Sequence, residues 1–292
     1  MELKTKIYDD VVTMYLLSQC DMKCKFCYAS KDTGRLSLDQ AKNIIDFFAS
    51  LGATRISLTG GEALMHPQVY EIVEHAYHSG FKVNLFTSGS LLTAEKLKKL
   101  APYLRWLTLS IDGGDPDLNM KMGRREGHFE KAFQALKYSK EIAPHINVRV
   151  VTVVTKININ KLMPLGKLLF EPENRPTWWR LKQMVALRSG KEYEKELGVS
   201  NSSFTSAVND LKHKYSPELD VDGSLATSKS GDIMIIHPNG NCTTTKFENN
   251  QFVLEDLGSI FTEPMKVVEN WWHRKDLENS TFYQGIWARS NG

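Results

Sequence analysis

Between Val11 and Leu187, six short runs of β-forming residues alternate with stretches that carry apolar residues at helical spacing. The rhythm repeats at intervals of roughly 25 to 35 residues, the pattern of stacked βαβ units around a parallel sheet. The strand-like runs are Val11 to Leu17, Arg55 to Thr59, Lys82 to Thr87, Trp106 to Ile111, Asn147 to Thr155 and Trp178 to Leu187. Between them, Ser37 precedes Leu38, Ala41, Ile44, Ile45 and Phe48 as a plausible N-cap before an amphipathic helix. Further helices are predicted over Gln68 to Ser79, Thr93 to Leu100, Phe129 to Ile142 and Asn160 to Leu169. In sheets of this kind the working residues sit at the carboxyl ends of the strands.

Past Leu187 the rhythm changes. Ser200 to Tyr215 reads as one amphipathic helix, and Asp220 to Gly231 as a polar stretch. Ile233 to Ile236 and Cys242 to Thr245 flank HPNGN, with Asn239-Gly240 as a hairpin turn signal. Glu263 to Trp272 is a final helix, and the tail from Asn279 to Gly292, with Phe282, Tyr283 and Trp287, is expected to dock. The expected organisation is therefore a core over residues 1–190 and a smaller α+β extension over 191–292 that caps the mouth of the core.

The chemistry is concentrated in SQCDMKCKFCYAS, Ser18 to Ser30, just after the first strand. Cys20, Cys24 and Cys27 stand in the pattern C-x3-C-x2-C. Three thiolates on one loop can hold three irons of a [4Fe-4S] cube, whose full ligand set would be four cysteines. One iron is then open to a small chelating molecule. A structural zinc site is the competing reading, but a closed zinc site needs a fourth ligand, and Cys242 is distant in sequence.

With Phe26 before the last cysteine and Tyr28 after it, this loop resembles that of the radical S-adenosylmethionine (SAM) superfamily. Thr59-Gly60-Gly61-Glu62, after the second strand, matches the GGE motif of that superfamily, with Ala63 where many relatives have proline. Glycines let backbone approach a ligand closely, and the Glu62 carboxylate can accept from an ammonium group; the resemblance implies the SAM methionine amine. Thr87-Ser88-Gly89 occupies the place of a common asparagine–glycine pair, so Ser88 is a SAM candidate. Ser110 and Asp112 match a ribose-contacting segment, and Arg124, with Arg125 as the alternative, matches an arginine for the SAM carboxylate.

The resemblance spans roughly residues 10 to 190 and implies an α/β fold, a partial (β/α)6 parallel barrel. It also implies one [4Fe-4S] cluster, SAM as cosubstrate, an external one-electron reductant of flavodoxin or ferredoxin type, and reductive cleavage of SAM to a 5′-deoxyadenosyl radical that abstracts hydrogen. The extension has the layout of those that carry auxiliary clusters in relatives, yet only Cys242 remains of the cysteines required, so a single cluster is expected.

The substrate is a small molecule or short peptide. Arg149, Arg180 and Lys182 could point cations into the barrel mouth and favour phosphate or carboxylate, or could be strand-end charges. LNMKMGRREG, VRVVTVVTKIN and WWRLKQM resemble the viperin-like, nucleotide-processing branch, although GDIMIIHPNG lacks the tyrosine expected there. The alternative is an epimerase of a peptide or aminoglycoside in which the Cys242 thiol returns a hydrogen atom from the opposite face; the plain reading of Cys242 is a buried apolar residue.

A formal charge of +3 over 292 residues is too mild to suggest a nucleic-acid polymer or a membrane surface. The amino-terminal residues lack the apolar core of a signal peptide and no apolar run approaches the roughly 18 residues of a span, so a cytoplasmic location is expected.

Overall fold

The computed structural model describes residues 11–30, 34–229, 233–249 and 251–272. In chain order the first elements are β1 (Val11–Tyr15), α1 (Leu38–Ser50), β2 (Arg55–Thr59), α2 (Val69–His78), β3 (Lys82–Thr87), α3 (Ala94–Leu100) and β4 (Leu104–Ser110). They continue with α4 (Pro116–Lys121), α5 (His128–Ile142), β5 (Asn147–Val154), α6 (Leu162–Phe170) and β6 (Trp178–Gln183). After β6 come α7 (Ser189–Glu192), α8 (Glu194–Leu197), α9 (Asn201–Tyr215), β7 (Asp220–Ser224), β8 (Met234–Ile236), β9 (Asn241–Glu248), β10 (Gln251–Ser259) and α10 (Pro264–Trp272).

One sheet of ten strands runs in the order β10-β9-β8-β1-β2-β3-β4-β5-β6-β7. From β8 through β7 every neighbouring pair is parallel; β8–β9 and β9–β10 are antiparallel. The strands β1 to β6 and their helices form the parallel sheet expected from the βα rhythm and the partial barrel that the resemblance implies. The described strands beyond residue 190 join the same sheet, β7 beside β6 and β8 to β10 beside β1.

The two faces of the sheet separate by side-chain parity. Val12, Met14, Ile56, Leu58, Val83, Leu85, Leu107 and Leu109 are buried on the outer face, where the helices cover them. Helix α1 presents Ala41, Ile44, Ile45 and Phe48, one stripe at positions i, i+3, i+4 and i+7. Its start is fixed by a capping box in which the Ser37 hydroxyl and the Gln40 side chain satisfy each other's backbone N–H groups. The inner face is polar. There the Asn84 amide donates to Ser57 Oγ at 3.2 Å and Thr108 Oγ1 donates to Asn84 Oδ1 at 2.9 Å, tying β2, β3 and β4.

Two strands escape the sequence reading. β7 lies within the polar stretch after α9, where Asp220-Val-Asp-Gly-Ser has little intrinsic strand preference. It is a strand because β6 offers it a full edge, from Trp178 opposite Asp220 to Lys182 opposite Ser224. β10 pairs with β9 through a register shift between Asp256 and Gly258, which breaks the alternation that marks a strand. The hairpin at Asn239-Gly240 forms as expected, with Gly240 N–H donating to the His237 carbonyl at 2.8 Å. The tail from residue 279, expected to dock, lies outside the described residues. Among the described residues no helix is long and apolar enough to cross a membrane.

Trp179 is wholly buried on β6, and its indole donates to Thr152 Oγ1, which donates to the Ile111 carbonyl, so one side chain ties the ends of three elements. Trp179→Ala should cost about 3 to 5 kcal/mol, read as a lower urea midpoint with an unchanged slope.

Candidate active site

The cysteine loop has no regular structure of its own, so its shape is imposed by its neighbours. Leu16 N–H donates to the Thr59 carbonyl (2.9 Å), Gly61 N–H to Leu17 (2.8 Å), Glu62 N–H to Gln19 (2.9 Å) and Lys23 N–H to Gly123 (3.0 Å). These contacts require bare backbone. A Cβ on Gly61 would stand 2.0 Å from the Gln19 carbonyl oxygen, and one on Gly123, at φ +90°, 2.6 Å from Cys24 Cα. The GGE segment on one side and the turn after α4 on the other therefore grip the loop.

Within this grip Cys20 is exposed and Cys24 and Cys27 are half-buried. Cys20 Sγ accepts from Met22 N–H at 3.4 Å, and the Cys24 thiol donates to the Gly123 carbonyl at 3.8 Å. Burial pushes the Cys24 thiol up to about 11, so loading it with metal must displace a proton. Among the described residues no three His, Cys, Asp or Glu side chains converge as a single-ion site. Three sulfurs on one gripped loop suit three corners of a [4Fe-4S] cube, whereas a closed zinc site would need a fourth ligand. Phe26 is buried with Met122, Met184 and Leu197 behind the loop. Tyr28 keeps 39% of its surface exposed, yet its hydroxyl meets that of Tyr15, and burial pushes its pKa up.

Glu62 has a different immediate partner from the one expected. It is 1% exposed, and its Oε1 accepts from Thr87 Oγ1 (2.7 Å) and Leu64 N–H (3.0 Å) while Oε2 accepts from Ser88 N–H (2.7 Å). Burial raises its pKa and these three bonds pull against that rise. The carboxylate thus pins the loop after β2 to the loop after β3, and Oε2, with one partner, keeps room to accept a further donor.

Arg124 and Asp112 likewise meet each other. Arg124 Nε and NH2 both donate to Asp112 Oδ2, at 2.8 and 2.6 Å, and Asp112 Oδ1 accepts from Val153 N–H at 2.8 Å. Burial works against the charge on Arg124, but the carboxylate beside it prevails and its pKa is raised. Arg125 is the more exposed neighbour, with NH1 3.7 Å from Asp21 Oδ2. Ser110 ends β4 on the inner face.

Ser88 sits in a polar knot that also contains residues the sequence reading missed. Its hydroxyl lies 2.9 Å from Ser90 Oγ, Ser90 Oγ donates to Asp21 Oδ2 at 2.7 Å, and the Ser88 carbonyl hydrogen-bonds with His128 Nε2 at 3.0 Å. Two atoms in this knot, Asp21 Oδ1 and His128 Nδ1, are buried without a partner. Unpaired buried polar atoms beside the cysteine loop fit a ligand rich in hydroxyl and amino groups, as SAM is. Asp21 could have been suspected from its place between the cysteines; nothing in the sequence marked His128.

The three candidate substrate cations separate in depth. Arg149, the third residue of β5, lies with its guanidinium 4.9 Å from the Trp106 ring and 4.4 Å from the Trp178 ring. It fills the amino-terminal end of the barrel, away from the mouth where it was expected. Arg180 lies above Trp178 and 3.9 Å from Asp222. Only Lys182 reaches the carboxyl half, 5.9 Å from the centre of the Phe86 ring.

Cys242 does not face the site. It pairs with Ile236, which pairs with Met14, so the three share the outer face of the sheet. It is fully buried within the apolar core that also holds Leu257, Val267 and Trp271. A thiol there cannot hand hydrogen to a radical on the inner face, and this corrects its assignment as donor.

Comparison with known proteins agrees with this geometry. The model of the Radical SAM superfamily matches residues 14–169. A protein named S-adenosylmethionine-dependent nucleotide dehydratase from Flammeovirga pacifica is 28% identical over 251 residues, covering 82% of each chain. An AdoMet-dependent heme synthase from Methanosarcina barkeri is 31% identical over 166 residues, 55% of this chain and 47% of its own length. Streptococcus suis SuiB bound to S-adenosylmethionine has the same fold, with a TM-score of 0.64 at 17% identity over 80% of this chain and 60% of that one.

Gly61→Ala should dislodge the cysteine loop without unfolding the barrel. Anaerobically purified protein is expected to lose most of its iron while its far-UV circular dichroism stays unchanged; full iron content would refute the grip described above. Two buried histidines set a pH response. Burial, aided by a nearby arginine, lowers His128 and His237 to about 4 from an ordinary 6.5. The unfolded chain therefore binds protons that the folded chain refuses. Stability should be complete above pH 6.5 and fall as pH drops toward 4, by up to about 3 kcal/mol per histidine. The urea midpoint of His128→Gln should fall less between pH 7 and 5 than that of the natural chain.

Proposed function

The chain belongs to the radical SAM superfamily, and we propose that within it this enzyme acts on a nucleotide, as a dehydratase of a nucleoside triphosphate. The observation that carries this reading is the extent of likeness. The match to the Flammeovirga protein named as a nucleotide dehydratase covers 82% of this chain, whereas the match to the heme synthase covers 55%. Residues outside the shared SAM core therefore also resemble the dehydratase.

The chain's own residues take the following parts in this reading. Cys20, Cys24 and Cys27 hold one cluster, since Cys242 belongs to the core and supplies no ligand for a second. Gly60 and Gly61 offer backbone to the methionine end of SAM. Ser88, Asp21 and His128 offer polar atoms to the rest of SAM, while Phe26 walls the cluster loop from behind. Glu62 is a positioning residue that fixes two loops at once, and the Arg124–Asp112 pair holds the turn after α4 against β5. Arg149 closes the floor of the barrel, Arg180 and Asp222 lie above it, and Lys182 at the mouth presents a cation to phosphate.

When bound, the cluster and SAM supply a carbon radical able to take hydrogen from the substrate. The protein's contribution is to hold one C–H bond beside that radical and to exclude water, which the apolar packing of Phe26 with Met122, Met184 and Leu197 assists on the loop side. The electron comes from an external low-potential reductant.

The reading is tested by reconstituting the enzyme anaerobically and measuring 5′-deoxyadenosine with dithionite and each of the four ribonucleoside triphosphates. One should stimulate formation severalfold over the others and appear in a product lighter by one water. An equal response to all four, with no dehydrated product, would exclude it.

A further inference from the structure

The seam between β1 and β8 carries polar groups that the roles above leave unused. His237 directly follows β8, and the register that places Ile236 beside Met14 brings it next to Tyr15 on the inner face. The two rings meet edge to face with centroids 5.6 Å apart. His237 is 4% exposed; its Nε2 hydrogen-bonds with Thr243 Oγ1 at 2.9 Å, and its Nδ1 is buried with no partner. The Tyr15 hydroxyl hydrogen-bonds in turn with that of Tyr28, adjacent to Cys27. The imidazole is therefore one aromatic ring away from the cysteine loop.

Arg188 approaches the same place from the loop after β6. Its backbone lies at φ +49°, ψ −122°, a conformation L residues rarely adopt and one that persists only where the surroundings impose it. The surroundings are visible. Gly190 N–H donates to the Leu187 carbonyl at 2.9 Å, and a Cβ on Gly190 would meet the Val185 carbonyl at 2.8 Å and that of Phe26 at 3.6 Å, so this turn leans on the cysteine loop. The Arg188 side chain is exposed and makes no ion pair among the described residues, and its charge acts on both Tyr15 and His237.

A strained cation on the turn that leans on the cysteine loop and a buried imidazole one aromatic ring from that loop both neighbour the place where the cysteines would hold the cluster. Building on the nucleotide reading, we propose that Arg188 and His237 contact the substrate, Arg188 through a phosphate oxygen and His237 Nδ1 through a sugar hydroxyl. The division follows from charge. A guanidinium takes phosphate in a fork of N–H donors. A neutral imidazole beside that guanidinium gains little from an anion, and a hydroxyl can pair with Nδ1 in either tautomer. A buried ring nitrogen is ordinarily paired, so Nδ1 is the atom that a substrate hydroxyl would satisfy.

Amide side chains can separate the two ring nitrogens. In His237→Asn the amide occupies the position of Nδ1 and drops the bond to Thr243; in His237→Gln it occupies the position of Nε2 and drops the inward one. Calorimetric titration of the reconstituted, SAM-loaded protein with the stimulating triphosphate should show a Kd close to the natural one for His237→Asn and about tenfold weaker for His237→Gln. A 2′,3′-dideoxy triphosphate should bind the natural chain more weakly and His237→Gln no more weakly than the ribonucleotide. Arg188→Gln should lower affinity for the triphosphate far more than for the nucleoside. The reverse order for the two His237 variants would make the residue a structural partner of Thr243, and an unchanged triphosphate-to-nucleoside ratio in Arg188→Gln would remove the phosphate contact. Absence of binding by the natural chain to every triphosphate would overturn the nucleotide reading itself, and this inference with it.

Discussion

The site depends on a close approach of bare backbone. The cysteine loop is irregular, and an irregular segment keeps one shape only if its polar groups are satisfied from outside. Here they are satisfied by the GGE segment and by the turn at Gly123, both pressed so near that no side chain fits between. The carboxylate of Glu62, buried and accepting three hydrogen bonds, then holds the GGE segment to the loop after β3. Displacing any part of this contact moves three cysteines together, because they share one loop and one set of anchors.

The polar inner face and apolar outer face of the sheet explain how a buried site can be so rich in hydrogen-bonding groups. Each strand contributes alternate residues to each side, so a run such as Ile56-Ser57-Leu58-Thr59 serves packing and chemistry at once. Depth along the strand adds a second division. Near the amino ends the interior is closed by Arg149 between two tryptophans; near the carboxyl ends it holds Ser88, Asp112 and Lys182. Charge at the floor is stabilised by aromatic faces and a carboxylate, whereas near the cysteine loop the polar atoms include Asp21 Oδ1 and His128 Nδ1, which no group among the described residues pairs.

Much of this was legible in the residues. The six βα units, the capping box at Ser37, the hairpin at Asn239-Gly240 and the cysteine spacing are local patterns, and local patterns survive in the fold. What was not legible depends on which strands become neighbours. Glu62 carries the same carboxylate whether its partner is an ammonium or Thr87, and only the adjacency of β2 and β3 decides. Cys242 changes faces with a shift of one residue in the hairpin register, which no composition reveals. Arg149 could be read as a cation of the mouth or as a strand-end charge; its depth is set by Trp106 and Trp178, which come from two other strands. β7 was hidden for the opposite reason: its residues favour a loop, and the open edge of β6 recruits them.

The placement of Arg188 and His237 separates two kinds of inheritance in the chain. Everything expected to handle the cofactor lies between β1 and β5 and their loops, while these two residues come from segments added beyond β6 and on the far side of β1. On the roles proposed for them, reactivity and selectivity would be carried on different parts of one continuous sheet. New edge strands could be grafted, or the loop after β6 exchanged, to retarget the enzyme while its radical-generating half stays intact.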